Sequence, residues 1–348
     1  MSGYTPFFKG FILVGNIAIP VLPNAQFTCP QNWSLPPILG NLWQFDYGQG
    51  LRSPMIELSF VVRDNTTEAL SAQLMTWALS RSTNNSDTPY IGAGGGPPPP
   101  LGTAPGATSP DGGTYGLLDV TDGISFWDGA VGTQMTGAKV ASFSLGCSKG
   151  DDIRFTMRFM GSGIQNLVSN GNGTFTVTGT AVASTAATAG TTAFSVLRFP
   201  SILFGTAGTT LASFAPGGKI MGNAYTFNLS YNNNLTPDLG LNGTEFPAGL
   251  DSGLPTVGFT YTLQAGSTAL IDNFAGGGTA DQLAIGITKI RKSVPFAAGT
   301  DMRRIFVLDN LLDNTPVDRG ITAPRVMRPH SMIALGLNPA TNPPLRYI

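Results

Sequence analysis

The stretch PMIELSFVVRDNTTEALSAQLMTWA, from Pro54 to Ala78, carries the clearest structural signal in the chain. Apolar residues at positions 56, 58, 60 and 62 recur with the period of two that is typical of a strand with one buried face. Thr66 and Thr67 are suitable N-cap residues, because their hydroxyl oxygens can accept from the free N–H groups of a first helical turn. Apolar residues at helical spacing follow. The sequence therefore predicts a strand that leads into a helix.

A similar pattern returns in PTVGFTYTLQAGSTALIDNF, from Pro255 to Phe274. Positions 257, 259, 261 and 263 are apolar and alternate with Gly and Thr, and Ser267 and Thr268 can cap a short helix closed by Gly276. A long loop precedes each copy, at residues 30–54 and 231–255, and a strand precedes each loop. The order strand, loop, strand, helix thus occurs twice, which predicts an internal duplication.

Composition favours a mainly β fold. Only 11% of the 348 residues are charged, whereas 45 are Gly and 26 are Pro, a mixture that suits short strands joined by tight turns. A chain of this length favours two domains. We expect a first domain at 1–175, with a Pro/Gly-rich insertion at 82–116, and a second at 176–348. Sparse charge also predicts that much of the surface is covered by other subunits, although a neutral monomer fits the same composition.

Charge is unevenly distributed along the chain. The net charge of −1 gives no general reason to expect binding to nucleic acid or to an anionic membrane. Residues 289–348, however, contain nine Lys or Arg and four Asp, so this region carries +5 and the remainder −6. Opposite charges at two regions of one chain favour head-to-tail association, but the basic residues also fit an ordinary solvated surface. The N-terminus lacks the features of a signal peptide, and we expect synthesis in the cytoplasm without a membrane anchor.

The sequence offers no recognisable catalytic, cofactor or metal site. Its one histidine, His330, excludes sites built from several histidines, and the two cysteines, Cys29 and Cys147, do not indicate a disulfide framework. Nucleophile-elbow, Walker and dinucleotide-binding motifs are absent. Aspartates cluster in predicted turns, but their spacing fits no established calcium loop. We therefore expect a protein without cofactor or enzymatic activity, while carboxylates brought together from distant positions remain open.

The segment YTFNLSYNNNLTPDLGLNG, from Tyr225 to Gly243, together with GFTYTLQAGSTALIDNF after it and SFSL at Ser142 to Leu145, resembles the tail tube proteins of long-tailed, siphovirus-type bacteriophages. In that family a strand runs into an Asn-rich loop, then a strand and a short helix. The first half follows the same order but departs in its loop, which reads QNWSLPPILGN, and in its insertion. A doubled chain of this kind is also similar to the tube proteins of phages of thermophilic bacteria.

The resemblance implies two tandem tail-tube-like domains, each a β-sandwich or barrel with a flanking α-helix and a long inter-strand loop. Six such domains form a ring whose inner sheet lines a channel, so three chains would close one ring, and stacked rings would form a hollow tube. The implied partners are copies of the chain, the tape-measure protein in the lumen, and the tail terminator and tail-tip proteins. DNA would pass through without specific binding. The implied location is the virion tail, assembled in the host cytoplasm.

The two long loops are expected to supply contacts between stacked rings, because large apolar residues are unlikely to be left in water. The candidates for these inter-ring contacts are Trp33, Trp43, Phe45, Leu235, Pro237 and Phe246. The basic C-terminal region is expected to face another subunit, since Lys and Arg in the lumen would hold phosphates. Two other classes remain open: a β-sandwich binding module such as a phage fibre or decoration domain, and a β-sandwich carbohydrate hydrolase with paired carboxylates.

Overall fold

The computed structural model shows a mainly β protein, as the composition predicts. It describes residues 11–15, 17–18, 25–30, 33–34, 48–61, 63–64, 74–75, 77–79, 117, 119–120, 122–128, 131–148, 150–169, 174–177, 180–183, 195–196, 199–205, 219–220, 224–238, 244–253, 255–264, 282–288, 302–308, 311–313, 327–334 and 345–347.

The strands of the first part of the chain are β1 (Phe11–Val14), β2 (Ile17–Ala18), β3 (Gln26–Thr28), β4 (Trp33–Ser34), β5 (Gly48–Gln49), β6 (Met55–Val61), β7 (Arg63–Asp64), β8 (Ile124–Trp127), β9 (Gly132–Thr136), β10 (Lys139–Ser148), β11 (Arg154–Met160), β12 (Gly163–Ser169), β13 (Thr174–Val177) and β14 (Thr180–Ala183). Those of the second part are β15 (Ser195–Val196), β16 (Phe199–Gly205), β17 (Lys219–Ile220), β18 (Ala224–Asn232), β19 (Leu235–Asp238), β20 (Gly249–Ser252), β21 (Thr256–Gln264), β22 (Gln282–Thr288), β23 (Met302–Leu308), β24 (Leu311–Asp313), β25 (Met327–Ala334) and β26 (Leu345–Tyr347).

The two strands predicted after Pro54 and after Pro255 are present, as β6 and β21. The helix expected after β6 is present at residues 74–75 and 77–79. The second expected helix, after β21, lies outside the described residues, as does the 82–116 insertion. The predicted boundary between residues 175 and 176 falls within β13, which pairs with β12 and β14. The division into two domains remains a prediction.

An eight-stranded antiparallel sheet forms the centre of the fold, in the order β24-β25-β21-β18-β10-β11-β6-β3. Its first four strands come from the second part of the chain and its last four from the first part. Within each group the connectivity is the same: the earliest strand lies beside the second, the second beside the fourth, and the fourth beside the third. The central sheet is therefore two copies of one four-strand arrangement, joined where β10 pairs with β18.

The outer sheets repeat in the same way. A seven-stranded sheet runs β14-β13-β12-β9-β8-β1-β2, and a five-stranded sheet runs β17-β16-β22-β23-β26. Five strands of the larger sheet, β2-β1-β8-β9-β12, match the smaller sheet strand for strand in chain order. The strand at 302–308 consequently takes the place of β9. Strand order is fixed by pairing between distant segments, which local patterns do not encode.

Hairpins that extend strands of the central sheet repeat with the same spacing. Phe27 of β3 pairs with Ile56, and Trp33 of β4 pairs with Gln49. In the second copy the corresponding pairs are Tyr231 with Val257, and Pro237 with Leu250. Six residues separate the two pairs on the leading side and seven on the returning side, in both copies. Two independent hairpins thus agree on which residues correspond.

One face of the central sheet forms the core. Alternate residues of β6, β10, β11, β18 and β21 are buried. The helical residues Leu74, Met75, Trp77 and Ala78 pack into the same cluster. Burying these side chains stabilises the fold by roughly 25 cal/mol per Å² of apolar surface removed from water. Because the cluster contains residues from both four-strand groups, the two groups share one core.

Candidate assembly interface

The two edges of the central sheet are the short strands β3 and β24. Each has a single paired neighbour among the described residues: β3 pairs with β6 and β24 pairs with β25. Each edge strand has three described residues in strand conformation. A short edge strand offers few free N–H and C=O groups, which limits uncontrolled association, yet it can still add a neighbouring strand. These edges are the natural places for a further strand to pair.

The junction inside the chain shows how two such groups join. There β10 and β18 pair over seven residues, from Ser142–Asn232 to Ser148–Thr226. Phe143 stacks on Tyr231 across the junction, with ring centroids 5.0 Å apart and ring planes 16° apart. The same ring also stacks on Phe155 of β11 at 5.4 Å. Aromatic packing of this kind adds to the area buried, so the internal junction is continuous with the core.

Asn233 forms hydrogen bonds across that junction at one end. Its side chain is fully buried, and its Nδ2 group donates to the carbonyl oxygens of Val140, at 2.9 Å, and Ala78, at 3.1 Å. Its backbone N–H donates to the carbonyl oxygen of Ala141 at 2.8 Å. The residue that follows β18 therefore binds both β10 and the helical residue Ala78. Asn234 then adopts φ +49°, which turns the chain into the following hairpin.

The second long loop lies against the first four-strand group of its own chain. Its strands β19 and β20 pair with each other, and Lys139 Nζ donates to the Leu250 carbonyl oxygen at 3.1 Å. Farther along, the backbone N–H of Arg52 donates to the Glu245 carbonyl oxygen at 2.7 Å. Arg52 Nε also lies 2.9 Å from Glu245 Oε2, an ion pair without hydrogen-bond alignment. This loop thus spans from β18 to the beginning of β6.

On β10, β18 and β21 the other face of the central sheet is polar and mostly uncharged. Exposed and half-buried residues on β10, β18 and β21 alternate with the core residues and are almost all Ser, Thr, Asn or Gly. Several hydroxyl groups are paired across strands: Ser59 with Thr156 at 2.9 Å, and Thr226 with Thr262 at 2.9 Å. Hydroxyls that bond to each other have less capacity left for a passing ligand. We call this surface the hydroxyl face.

Charges on the hydroxyl face are concentrated on one side of it. Glu57, Arg154 and Arg158 are exposed on β6 and β11, and Glu57 is directly opposite Arg158. On the described strands of the second group, the exposed positions of β18 and β21 carry no charge. The two groups therefore share a backbone arrangement but differ in surface charge.

The two cysteines occupy contrasting positions. Cys147 lies on β10 at the internal junction, and burial, followed by the charges of Asp151 and Asp152, raises the pKa of its thiol to about 11. Cys29 follows the free edge strand β3 and is half-buried. The pKa of the Cys29 thiol is raised, mainly by burial. The Arg52 charge lowers this pKa and the Glu245 charge raises it, but both effects are smaller than that of burial. Both thiols are therefore weak nucleophiles at neutral pH.

The sequence-predicted loop residues are placed as follows. Leu235 and Pro237 lie half-buried on β19, and Phe246 is half-buried beside the Arg52–Glu245 pair. Trp33 belongs to β4, but its side chain, like all of Trp43 and Phe45, lies outside the described residues. The described contacts of the second loop are made within the chain, and the role of the six residues between rings remains a prediction.

Sequence reasoning missed Asn233, Arg52, Glu245 and Leu312. The Asn-rich run was the available signal for Asn233, but it does not say which of three asparagines turns inward. Leu312, on β24, is 54% exposed, and only it and Val131 are large exposed hydrophobic residues among those described. The His330 side chain lies outside the described residues.

Aspartates in the described turns have local roles. Asp119 lies 3.7 Å from Lys139 Nζ, and the Asp128 carboxylate accepts from the Val131 N–H. No group of three or more His, Cys, Asp or Glu able to hold a metal occurs in the described part of the chain. Within the same residues, no helix has the length and apolar character needed to cross a membrane.

Comparison with known proteins adds no family. The sequence matches no protein-family model, and no curated protein matches it at a significant level.

Proposed function

We propose that this protein is a non-enzymatic structural subunit of a bacteriophage tail tube. Three chains, with six similar domains, form a ring, and rings stack into the hollow conduit for DNA. The observation that carries the proposal is the repeated strand order of the central sheet. The internal β10–β18 junction is therefore a template for contacts between chains. In each chain one edge of the central sheet, β3, corresponds to β18, and the other edge, β24, corresponds to β10.

Contact between unlike edges is heterologous, and heterologous contacts close into rings when the rotation between subunits permits it. A sheet that closes on itself has no free edges left. In the chain β3 and β24 bound the sheet on opposite sides, and every neighbouring pair in it is antiparallel. A ring is therefore the arrangement that satisfies both edges of every copy.

The dimensions support a conduit. Three chains that each supply the eight strands of the central sheet give a closed sheet of 24 strands. At about 4.8 Å between strands, its backbone diameter is roughly 37 Å, and more if the strands tilt. Side chains of about 6 Å on the inner face leave a bore of roughly 25 Å, which is wide enough to admit a DNA duplex.

The chemistry of the hydroxyl face fits this role. The core face is covered by the outer sheets and the helix, so the hydroxyl face is the one available to line the bore. A duplex is held by cations that neutralise its phosphates. On the described strands the hydroxyl face carries few cationic side chains, and one of them, Arg158, is opposite Glu57. DNA would pass without specific binding, and the tape-measure protein would occupy the same bore during assembly. Tail terminator and tail-tip proteins would contact the tube ends.

Electron microscopy of the purified chain, concentrated or warmed without partners, tests the proposal. We expect hollow tubes built of three-fold rings with six similar domains. Monomers or closed trimers under every condition would refute the tube assignment and favour a fibre or decoration module. Measuring assembly against salt tests the basic C-terminal region separately: contacts to another subunit predict assembly that weakens as salt rises.

A further inference from the structure

The pairing within the central sheet specifies which residues of its two edge strands, β3 and β24, would pair between chains. The starting point is the match between the two four-strand groups, in which Ile56 corresponds to Val257. Ile56 pairs with Phe159 on β11, and Val257 pairs with Ala334 on β25. Phe159 therefore corresponds to Ala334.

The residue before Phe159 and the residue before Ala334 each pair with the third strand of their own group. Arg158 pairs with Ser142 on β10, and Ile333 pairs with Leu312 on β24. Leu312 is thus the counterpart of Ser142. At the internal junction Ser142 pairs with Asn232, so the counterpart of Asn232 is the residue that Leu312 would meet on a neighbouring chain.

That counterpart lies on β3. Tyr231 corresponds to Phe27, because each pairs with the matching residue of the adjacent strand. The next residue in each case is Asn232 and Thr28. The predicted partner of Leu312 is therefore Thr28 of another copy.

We propose that β24 of one chain pairs antiparallel with β3 of a second copy, with Leu312 opposite Thr28. The inference deepens the proposed function by naming the contact that closes the ring, but it does not depend on the stacking of rings. The 54% exposure of Leu312 supports it independently of the register argument, since pairing would cover a large apolar side chain that is left in water in the single chain.

The same correspondence makes this contact weaker than the internal one. Cys29 follows Thr28 and stands where Asn233 stands in the second group, so the contact between chains has a thiol in place of the buried amide. A thiol is a weak donor. The internal junction also has seven paired residues, whereas β3 and β24 have three each. A ring would accordingly dissociate at the contacts between chains, while the β10–β18 junction inside each chain stays paired.

Engineered disulfides test the register. Thr28→Cys and Leu312→Cys are combined in a Cys29→Ala background, and the protein is oxidised after assembly. Directly opposite residues in antiparallel strands have Cβ atoms about 4.5–5.5 Å apart, close to the distance that a disulfide needs. We expect cross-linked dimers and trimers on a non-reducing gel. The control pairs Thr28→Cys with Asp313→Cys, which stands one residue out of register.

Each outcome separates this contact from tube formation. Cross-linking of the Leu312 pair alone supports the proposal, even if the trimers never stack and the tube assignment fails. Equal cross-linking of both pairs overturns the register. Tubes or trimers seen by electron microscopy without cross-linking overturn the contact and leave the proposed function standing.

The native cysteines provide a second readout that needs no mutation. Cys29 should become at least tenfold slower to react with a maleimide once rings form, because its counterpart Asn233 is fully buried. Cys147, already inside the chain's own junction, is the internal control and should change little. Unchanged labelling of Cys29 in assembled material would contradict the proposal.

Discussion

Asn233 Nδ2 donates to the Val140 carbonyl oxygen at 2.9 Å, which ties the strand β18 of the second group to β10 of the first. A second bond from the same amide reaches Ala78 at 3.1 Å. Inside a protein, such bonds are costly to remove, because the carbonyl groups left behind have no water to replace the lost donor. The Asn233 amide therefore adds to the stability that the β10–β18 pairing gives the joined sheet.

Replacing Asn233 with Ala should lower the free energy of unfolding by about 2–4 kcal/mol, since two buried carbonyls lose their donor. Denaturant unfolding followed by circular dichroism measures this. The control is Asn228→Ala, an exposed asparagine on the same strand, which should change stability by no more than about 0.5 kcal/mol. Similar losses for both variants would contradict the role assigned to Asn233.

Phe143→Ala should destabilise the chain by about 3–5 kcal/mol, the range for removing a buried aromatic side chain. The ring packs on Phe155, Tyr231 and Phe306, so a cavity would open at the internal junction. Thermal unfolding of Phe143→Ala is compared with that of Ser144→Ala, whose side chain lies on the hydroxyl face. A loss below about 1 kcal/mol for Phe143→Ala would mean that the junction is not part of the core.

The Arg52–Glu245 pair should contribute a coupling energy of only about 0.5–1 kcal/mol, because both side chains retain contact with solvent. A double-mutant cycle of Arg52→Ala and Glu245→Ala at low and high salt measures it. The coupling should decrease as salt rises. A coupling that is absent at low salt would show that the backbone bond alone holds this part of the loop.

Alkylation of Cys147 in a Cys29→Ala chain should increase about tenfold per pH unit up to about pH 11, where its pKa lies. The unfolded thiol titrates near 9.0, so the folded state holds the proton more tightly. This contribution to stability is constant below about pH 9 and is lost as pH rises towards 11.

Asp151→Asn is the matched test of the cause. Removing that charge should lower the pKa of Cys147 and raise its alkylation rate at pH 8, while burial, the larger effect, remains. A rate that levels off near pH 9 in the unmodified chain would contradict the raised pKa.

The long loops show where local patterns mislead. Residues 231–255 are rich in Asn, Gly and Pro and predict a long loop, yet β19 and β20 form a hairpin there. Pro237 and Gly249 are unusual in strands. The hairpin is held by hydrogen bonds to distant residues, such as Lys139 to Leu250 and Asn233 to Val140. The residues next to it in the sequence do not predict these contacts.

The sequence by itself determined the mainly β class, the strands β6 and β21, and the helix after β6, because alternation, capping and helical spacing are properties of neighbouring residues. It also suggested that a unit occurs twice. Only the tertiary structure decided the strand order, the register, the inward turn of Asn233 and the exposure of Leu312 on a free edge. These depend on pairing between segments far apart in the chain, and a shift of one residue would exchange the core face and the hydroxyl face.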